Sequence, residues 1–152
     1  MTDDEIFIAA DNAYDNGDFT KALLLFTQLA ERSDYAAMSR LASMYTCGEG
    51  VACDYQEAIR WEIKALGSGQ TSSLINIGIT YRMLGDIKVA KEYFEQAVLK
   101  GDGEAALQLA KLYMVSDKEI QTTKRYLNIA LQSDNLCEES IDEAKSIMAE
   151  MV

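Results

Sequence analysis

Apolar residues recur every three or four positions along most of this chain. The segment from Leu74 to Leu84 shows this spacing, and the segment from Ile87 to Leu99 repeats it. Such spacing places apolar side chains on one face of an α-helix. Between the two segments, Gly85 suits the positive φ at which helices commonly end. No run of alternating apolar and polar residues reaches strand length, so the pattern predicts pairs of amphipathic helices and no sheet.

The helix pairs are copies of one another. Tyr45, Tyr81 and Tyr113 occupy equivalent positions, spaced 36 and then 32 residues apart. A repeat of this length indicates stacked helical units, none of which buries its apolar face alone. The chain is therefore expected to form a single domain over residues 1–152. Its copies cover residues 5–34, 36–69, 72–101 and 103–134, and a last amphipathic helix covers 137–151.

The copy at 36–69 carries an ordered set of residues that resembles the Sel1-like repeat. Leu41, Ala42 and Tyr45 precede Gly48-Glu49-Gly50-Val51, and Asp54, Ala58, Trp61, Lys64-Ala65 and Gly69 follow. The copy at 72–101 has a shorter hairpin and is similar to a tetratricopeptide repeat. The resemblance implies an all-α fold, a right-handed α/α solenoid of about four helix hairpins plus a C-terminal capping helix.

The copy at 103–134 departs from the family pattern at two places. Thr123 stands where the family favours alanine, and the turn Ser116-Asp117-Lys118-Glu119 lacks glycine. This turn is therefore not expected to follow the geometry of the glycine-containing turns.

Composition excludes several kinds of function. The chain has no histidine, so it has no His-based acid–base catalyst, no Ser–His or Cys–His nucleophile pair and no mixed Cys/His zinc site. Carboxylate pairs such as Glu138–Glu139 are adjacent on a helix and do not face each other. Gly48-Glu49-Gly50 lacks the lysine and the Ser/Thr of a phosphate-binding loop. The chain is expected to be non-enzymatic and to hold no cofactor or metal.

The net charge of −11, from 14 basic and 25 acidic residues, disfavours binding to nucleic acids and to anionic membranes. The acidic excess lies at the two ends of the sequence. Residues 1–34 hold eight acidic and two basic side chains, and residues 134–152 hold six acidic and one basic. Polar terminal repeats prevent end-to-end stacking, which is the preferred interpretation. Recognition of a basic partner by the acidic ends stays open as the alternative.

The three cysteines do not form a disulfide framework. Cys47, Cys53 and Cys137 are expected to be free thiols in a reducing compartment, with Cys47 and Cys53 buried or half-buried beside a loop. No apolar stretch is long enough to span a membrane, and the acidic N-terminus is unlike a secretory signal. These features predict a cytoplasmic protein.

The resemblance implies a concave surface lined mainly by the first helix of each pair, on which a partner binds. The apolar side chains on this surface, among them Ile79 and Met83, are suited to a partner's helix or tail. Arg82 and Lys111 are expected to pair with carboxylates of the partner. Two alternatives stay open: the C-terminal helix covers the apolar side chains, and the two cations are simply solvated or pair within the repeat. The expected partner-binding residues are Phe7, Asp11, Tyr14, Ser43, Ile75, Ile79, Arg82, Met83, Leu107, Lys111 and Met114.

These observations favour a protein–protein interaction module that acts as an adaptor or regulator. The partner is expected to be a protein or peptide, and a basic partner stays open as the alternative to acidity that only aids solubility. The alternatives are a cytoplasmic immunity protein that neutralises a co-encoded toxin, and a small acidic secretion chaperone. Self-association through an open apolar groove is a further alternative.

Overall fold

The computed structural model describes the backbone of residues 1–117 and 119–151 and, outside residues 116 and 117, their side chains. Within these ranges the chain is mainly helical and contains no strand, which confirms the predicted all-α class. None of the described helices is long and apolar enough to cross a membrane. In chain order the helices are α1 (Asp3–Asp15), α2 (Phe19–Glu31), α3 (Tyr35–Cys47), α4 (Tyr55–Gly67), α5 (Ser73–Leu84), α6 (Ile87–Leu99), α7 (Gly103–Leu112), α8 (Ile120–Gln132) and α9 (Glu138–Glu150).

Aspartate residues start many of the helices. At five helix N-termini an aspartate carboxylate accepts a hydrogen bond from the backbone N–H three residues further along. Each bond satisfies one of the donors that a helix leaves unpaired at its start. Part of the acidic excess therefore fixes where helices begin. The capping residues are Asp18, Asp34, Asp54, Asp86 and Asp102.

The chain packs as two compact units, Met1–Thr80 and Tyr81–Val152. The first unit contains α1 to α4 and the beginning of α5. In this unit α1 packs on α2, α2 on α3 and α3 on α4. Burial of apolar side chains between these helices is the main stabilising contribution. Its core includes Ala10, Phe26, Leu29, Leu41 and Met44, all of them almost completely buried.

The loop between α3 and α4 contains two glycines with positive φ. Gly48 ends α3 in the left-handed conformation, which favours glycine because it has no Cβ. Gly50 has φ +72°, and a Cβ added to it would lie 2.6 Å from the backbone oxygen of Phe19 at the start of α2. Only glycine fits this approach between the two backbones, so the loop is fixed against the first hairpin.

The second unit contains the end of α5 and helices α6 to α9. Its core includes Phe94 on α6, Leu109 on α7 and Leu127 on α8, all fully buried. The last helix, α9, packs against α8 and α7, with Ala144 fully buried in that contact. The fold therefore ends in a helix that covers the preceding hairpin.

The last hairpin, whose turn lacks glycine, turns differently from those after α1 and α5. Gly17 and Gly85 have positive φ after α1 and α5. After α7 the chain instead forms a π-helical turn over Tyr113–Asp117. This wider turn occurs where the sequence offers no glycine. Lys118, which belongs to the predicted turn, lies outside the described residues.

Candidate functional site

The first unit contains a cavity of about 260 Å³ that opens to solvent between three helices. The lining side chains of α3 and α5 follow helical spacing, so each helix presents one face to the cavity. Most of these side chains are short and polar, which leaves room for a guest group. The lining residues are Ser39, Ala42, Ser43, Thr46 and Cys47 of α3, Glu62 of α4, and Asn76, Ile79 and Thr80 of α5.

Glu62 is the only carboxylate among the residues that line this cavity, and it is only 4% exposed. The Oγ of Ser39 donates a hydrogen bond to its Oε2 at 3.4 Å, and the Nδ2 of Asn76 donates to its Oε1 at 3.0 Å. In the part of the chain that the structure describes, no lysine or arginine pairs with this carboxylate. Glu62 is thus a buried acid held by neutral donors alone.

Burial raises the pKa of Glu62, because a charged carboxylate loses hydration there. The nearby hydroxyl of Ser73 and the hydrogen bonds from Asn76 and Ser39 offset part of this rise. The buried Ser73 Oγ is near enough to lower the pKa of Glu62, although the contact lacks the geometry of a regular hydrogen bond. The cavity therefore contains an acid whose negative charge is incompletely compensated.

Two threonine hydroxyls of the cavity have already donated their hydrogens inside the protein. Thr46 Oγ1 donates to the backbone oxygen of Ala42 at 2.9 Å, and Thr80 Oγ1 donates to that of Asn76 at 3.0 Å. A hydroxyl that has donated its one hydrogen retains only acceptor capacity. Together with Glu62, these groups make the cavity rich in hydrogen-bond acceptors.

The predicted site residues of α1 contact the rest of the first unit. The ring of Phe7 packs edge-on against Phe26, with ring centroids 5.5 Å apart. Asp11 pairs with Arg40 at 3.1 Å. These contacts join α1 to α2 and α3, so the half-buried Phe7 and Asp11 have structural partners of their own.

Tyr14 connects α1 to the loop after α3. Its hydroxyl donates a hydrogen bond of 2.8 Å to Glu49, and the Arg40 guanidinium lies 5.9 Å from the ring centroid. The hydrogen bond to Glu49 raises the pKa of Tyr14, with desolvation adding to the rise. Tyr14 therefore stays protonated and acts as a donor at neutral pH.

In the second unit, Arg82 and Lys111 are both engaged within the chain. Arg82 donates a hydrogen bond to the side-chain oxygen of Gln108, whose amide donates to Glu104 at 3.0 Å. Lys111 pairs with Glu143 of α9 at 2.8 Å. Both cations therefore have partners inside the second unit, but not within their own repeats: Arg82 binds a neutral side chain of the next repeat, and Lys111 pairs with the C-terminal helix.

The exposure predicted for Leu107 is wrong, because this side chain is 0% exposed. Leu107 lies on α7 between Glu104 and Lys111, and both of these residues contact α9. Ser140 Oγ of α9 donates to Glu104 at 2.7 Å. Helical spacing thus places Leu107 on the face that α9 packs against. The C-terminal helix covers this part of the predicted surface.

The remaining predicted residues are accessible. Ile75 and Ile79 are half-buried and Ser43 is exposed. In the second unit Met83 is 47% and Met114 37% exposed. The structure brings Ser43 and Ile79 together at the cavity of the first unit.

The predicted burial of Cys47 and Cys53 is also wrong. Cys47, Cys53 and Cys137 are all exposed, and none forms a disulfide. Cys47 is the last residue of α3, and Cys53 lies in the loop after it, where its thiol donates to the backbone oxygen of Thr46 at 3.2 Å. No group of three or more metal-ligating side chains comes together within the described ranges.

Sequence reasoning missed Glu62. The buried residues of α4 are Ala58, Ile59, Glu62 and Ala65, so the glutamate occupies a position on the apolar stripe of its helix. A charged residue at a core position was the available signal, since lone buried charges are rare. The family resemblance rests on the adjacent Trp61 and assigns no role to Glu62.

No known family model matches the sequence, and no curated protein matches it. Several solved structures are similar. A Sel1 repeat protein from Oxalobacter formigenes is 24% identical with a TM-score of 0.67, covering 83% of this chain and 54% of that one. A protective antigen of uropathogenic Escherichia coli strains, which displays an SLR fold, is 30% identical with a TM-score of 0.62, covering 72% of this chain and 25% of that one. A tetratricopeptide repeat protein from Parabacteroides merdae is 19% identical with a TM-score of 0.72, covering 98% and 59%.

The chain has the Sel1-like/tetratricopeptide repeat fold. The predicted solenoid class of helix hairpins is confirmed. The chain spans between a quarter and about three-fifths of the length of those solved proteins. Repeat solenoids of this kind generally serve protein interaction and are generally not catalytic.

Proposed function

We propose that this protein is a non-enzymatic interaction module, an adaptor or regulator, that binds a protein or peptide on the first helices of its hairpins. The observation that carries the proposal is the cavity between α3, α4 and α5, which opens on that surface. Half-buried Ile75 and Ile79 supply apolar contact beside its polar lining. A surface that combines apolar contact with a polar pocket is typical of specific recognition.

The second unit contributes Met83 and Met114 as proposed contacts, because both are exposed and methionine adapts to irregular partners. Leu107 is withdrawn from the set, since it is buried. Arg82 and Lys111 keep a proposed role only on the second unit itself, where they orient a partner more than they bind it.

The proposal is tested by blocking the cavity. Ser43 is exposed at the cavity, and Ser43→Trp fills its opening without removing a core contact. Wild type and variant are used as baits in lysate of the source organism, the captured protein is identified by mass spectrometry, and the purified partner is titrated by calorimetry. We expect Ser43→Trp to lower the affinity for the partner at least about tenfold.

The matched control is Ser146→Trp, which adds the same side chain at an exposed position of α9. It should bind the partner like wild type. If Ser43→Trp binds the purified partner as tightly as Ser146→Trp, the proposed surface is wrong. The identity of the partner also separates the alternatives: a toxin would indicate an immunity protein, and a secreted substrate a chaperone.

A further inference from the structure

Glu62 is the charged group on the lining of the first unit's cavity, and among the described residues no lysine or arginine pairs with it. Glu62 is 4% exposed and lines the cavity, yet its carboxylate is held only by the neutral donors described above. A buried carboxylate without a cationic partner is unfavourable, and a cation that enters the cavity compensates it.

We propose that this cavity binds the ammonium group of a lysine side chain that the partner inserts between α3 and α5. The inference rests on the proposed function and names the chemistry of the partner at that site. The ammonium pairs with the Glu62 carboxylate, while its remaining N–H groups reach hydroxyl oxygens of Thr46 and Thr80. A lysine ammonium has three donors and no acceptor, which matches an acceptor-rich cavity.

The geometry favours an ammonium over a guanidinium. Arginine pairs best with a carboxylate side by side, through two parallel hydrogen bonds. Both oxygens of Glu62 already accept a hydrogen bond, one from Asn76 and the other from Ser39. A compact ammonium needs only one line of approach to the carboxylate, and its other donors reach separate acceptors around the cavity.

The charge of the whole chain agrees with a cationic guest. The protein carries a net charge of −11, so a basic partner is attracted from a distance before any specific contact forms. The cavity then supplies the selection that general acidity lacks, because it admits one side chain and presents one carboxylate to it.

The test uses the full-length, ¹⁵N-labelled protein and n-butylammonium chloride as the probe. Tetramethylammonium chloride at equal concentration has the same charge but no N–H donor. We expect saturable shifts of the Asn76 side-chain amide and of the Ser43 and Thr80 backbone amides with n-butylammonium only. Equal shifts with tetramethylammonium, or tighter binding of n-butylguanidinium, would overturn the inference.

Glu62→Gln removes the charge and keeps the shape of the side chain. We expect this substitution to lower the affinity for n-butylammonium at least about tenfold. Glu57→Gln on the same helix is the matched control: it changes the net charge equally, but Glu57 pairs with Arg60 away from the cavity. Equal weakening in both variants would mean that only general acidity attracts the probe, and the inference would be wrong.

A second variant keeps the test decisive if Glu62→Gln does not fold. Thr46→Val removes one acceptor from the cavity at constant shape, and its fold is verified by circular dichroism. We expect Thr46→Val to lower the affinity for n-butylammonium about threefold to tenfold, in line with one lost hydrogen bond. Unchanged affinity in a folded Thr46→Val protein would contradict the proposed ammonium position.

The purified partner separates this inference from the proposed function. If Ser43→Trp loses the partner while Glu62→Gln binds it like wild type, the interaction surface stands and the lysine pocket is wrong. If both variants lose the partner and Glu57→Gln does not, both proposals are supported. If neither loses it, the partner binds elsewhere and both are wrong.

Discussion

At the scale of single residues, Glu62 reduces stability at the place where it offers a binding site. A buried charge that neutral groups alone compensate is less stable than a neutral side chain of the same shape. Functional sites commonly retain such local conflicts because the ligand resolves them. The raised pKa of Glu62 is the measurable consequence of this conflict.

We expect Glu62→Gln to raise the free energy of unfolding at neutral pH by on the order of 1 kcal/mol, because it removes the ionisation that burial disfavours. The pKa of Glu62 is above its ordinary 4.5 in the folded chain. Below pH 4.5 the Glu62 carboxyl is protonated in both the folded and the unfolded chain. As the pH rises from 4.5 to the higher pKa of the folded chain, the unfolded chain ionises first, and the wild-type protein loses stability.

The difference in the free energy of unfolding between Glu62→Gln and wild type should therefore shrink as the pH falls from the folded-state pKa of Glu62 to 4.5. Chemical denaturation of both proteins across the acid range measures it. The groups that face Glu62 from α3 and α5, Ser39, Ser73 and Asn76, do not titrate. Cys47, which lines the same cavity, is the other titratable group there and is present in both proteins. A pH-independent difference would contradict the expectation.

The thiols offer a second check at the residue scale. Because Cys47, Cys53 and Cys137 are exposed, we expect all three to react with a thiol reagent such as dithionitrobenzoate in the native protein. The count is compared with that in denaturant. Reaction of a thiol only after unfolding would show that it is buried, as the sequence had suggested for Cys47 and Cys53.

At the scale of helices and loops, most of the fold follows from the sequence. The spacing of apolar residues predicts the helix pairs, and aspartate caps and glycine turns mark many of their ends. The burial of Leu107 could not be predicted, because it depends on where α9 packs. Helical periodicity gives the apolar face of an isolated helix, whereas the covering element is set by tertiary contacts.

Gly50 carries a prediction about the loop between α3 and α4. We expect Gly50→Ala to lower the free energy of unfolding by about 2–4 kcal/mol, since its positive φ and the 2.6 Å approach to Phe19 both penalise a Cβ. Gly67→Ala is the matched control, because a Cβ at this helical position meets nothing within 4 Å. It should be neutral or stabilising by up to about 1 kcal/mol. Thermal unfolding compares the two, and equal effects would contradict the close approach.

The attachment of α9 can be tested in the same way. We expect Ala144→Asp to release α9 and expose Leu107, because Ala144 is fully buried in this contact. Ala149→Asp places the same charge on an exposed position of α9. Faster hydrogen exchange along α7 in Ala144→Asp, but not in Ala149→Asp, would support the packing. Equal exchange in both variants would show that α9 does not protect α7.

At the scale of the whole molecule, charge and fold contribute separately to function. The fold class shows how a partner surface is built, but it does not select a partner. The net charge of −11 attracts basic molecules without selecting among them. The side chains around Glu62 add the selectivity that both lack, and their arrangement in one cavity depends on tertiary packing.

Long-range attraction gives an expectation for kinetics. We expect the association rate of a basic partner to fall several-fold between low and physiological ionic strength, since salt screens the protein's net charge. The dissociation rate should change much less, because it reflects short-range contacts. Stopped-flow measurements at several salt concentrations separate the two rates. An association rate that does not depend on salt would exclude electrostatic steering.

The close approach of Gly50 to Phe19 has a consequence for how this chain could change in evolution. Repeat proteins commonly gain and lose whole units by duplication, because each unit contacts mainly its neighbours. Here the first two hairpins meet backbone to backbone, at a distance that only glycine permits. A new hairpin inserted between them would have to recreate this junction on both of its sides. The first two hairpins should therefore be inherited as one block, in which the glycine and the carbonyl that it approaches keep a fixed separation along the chain.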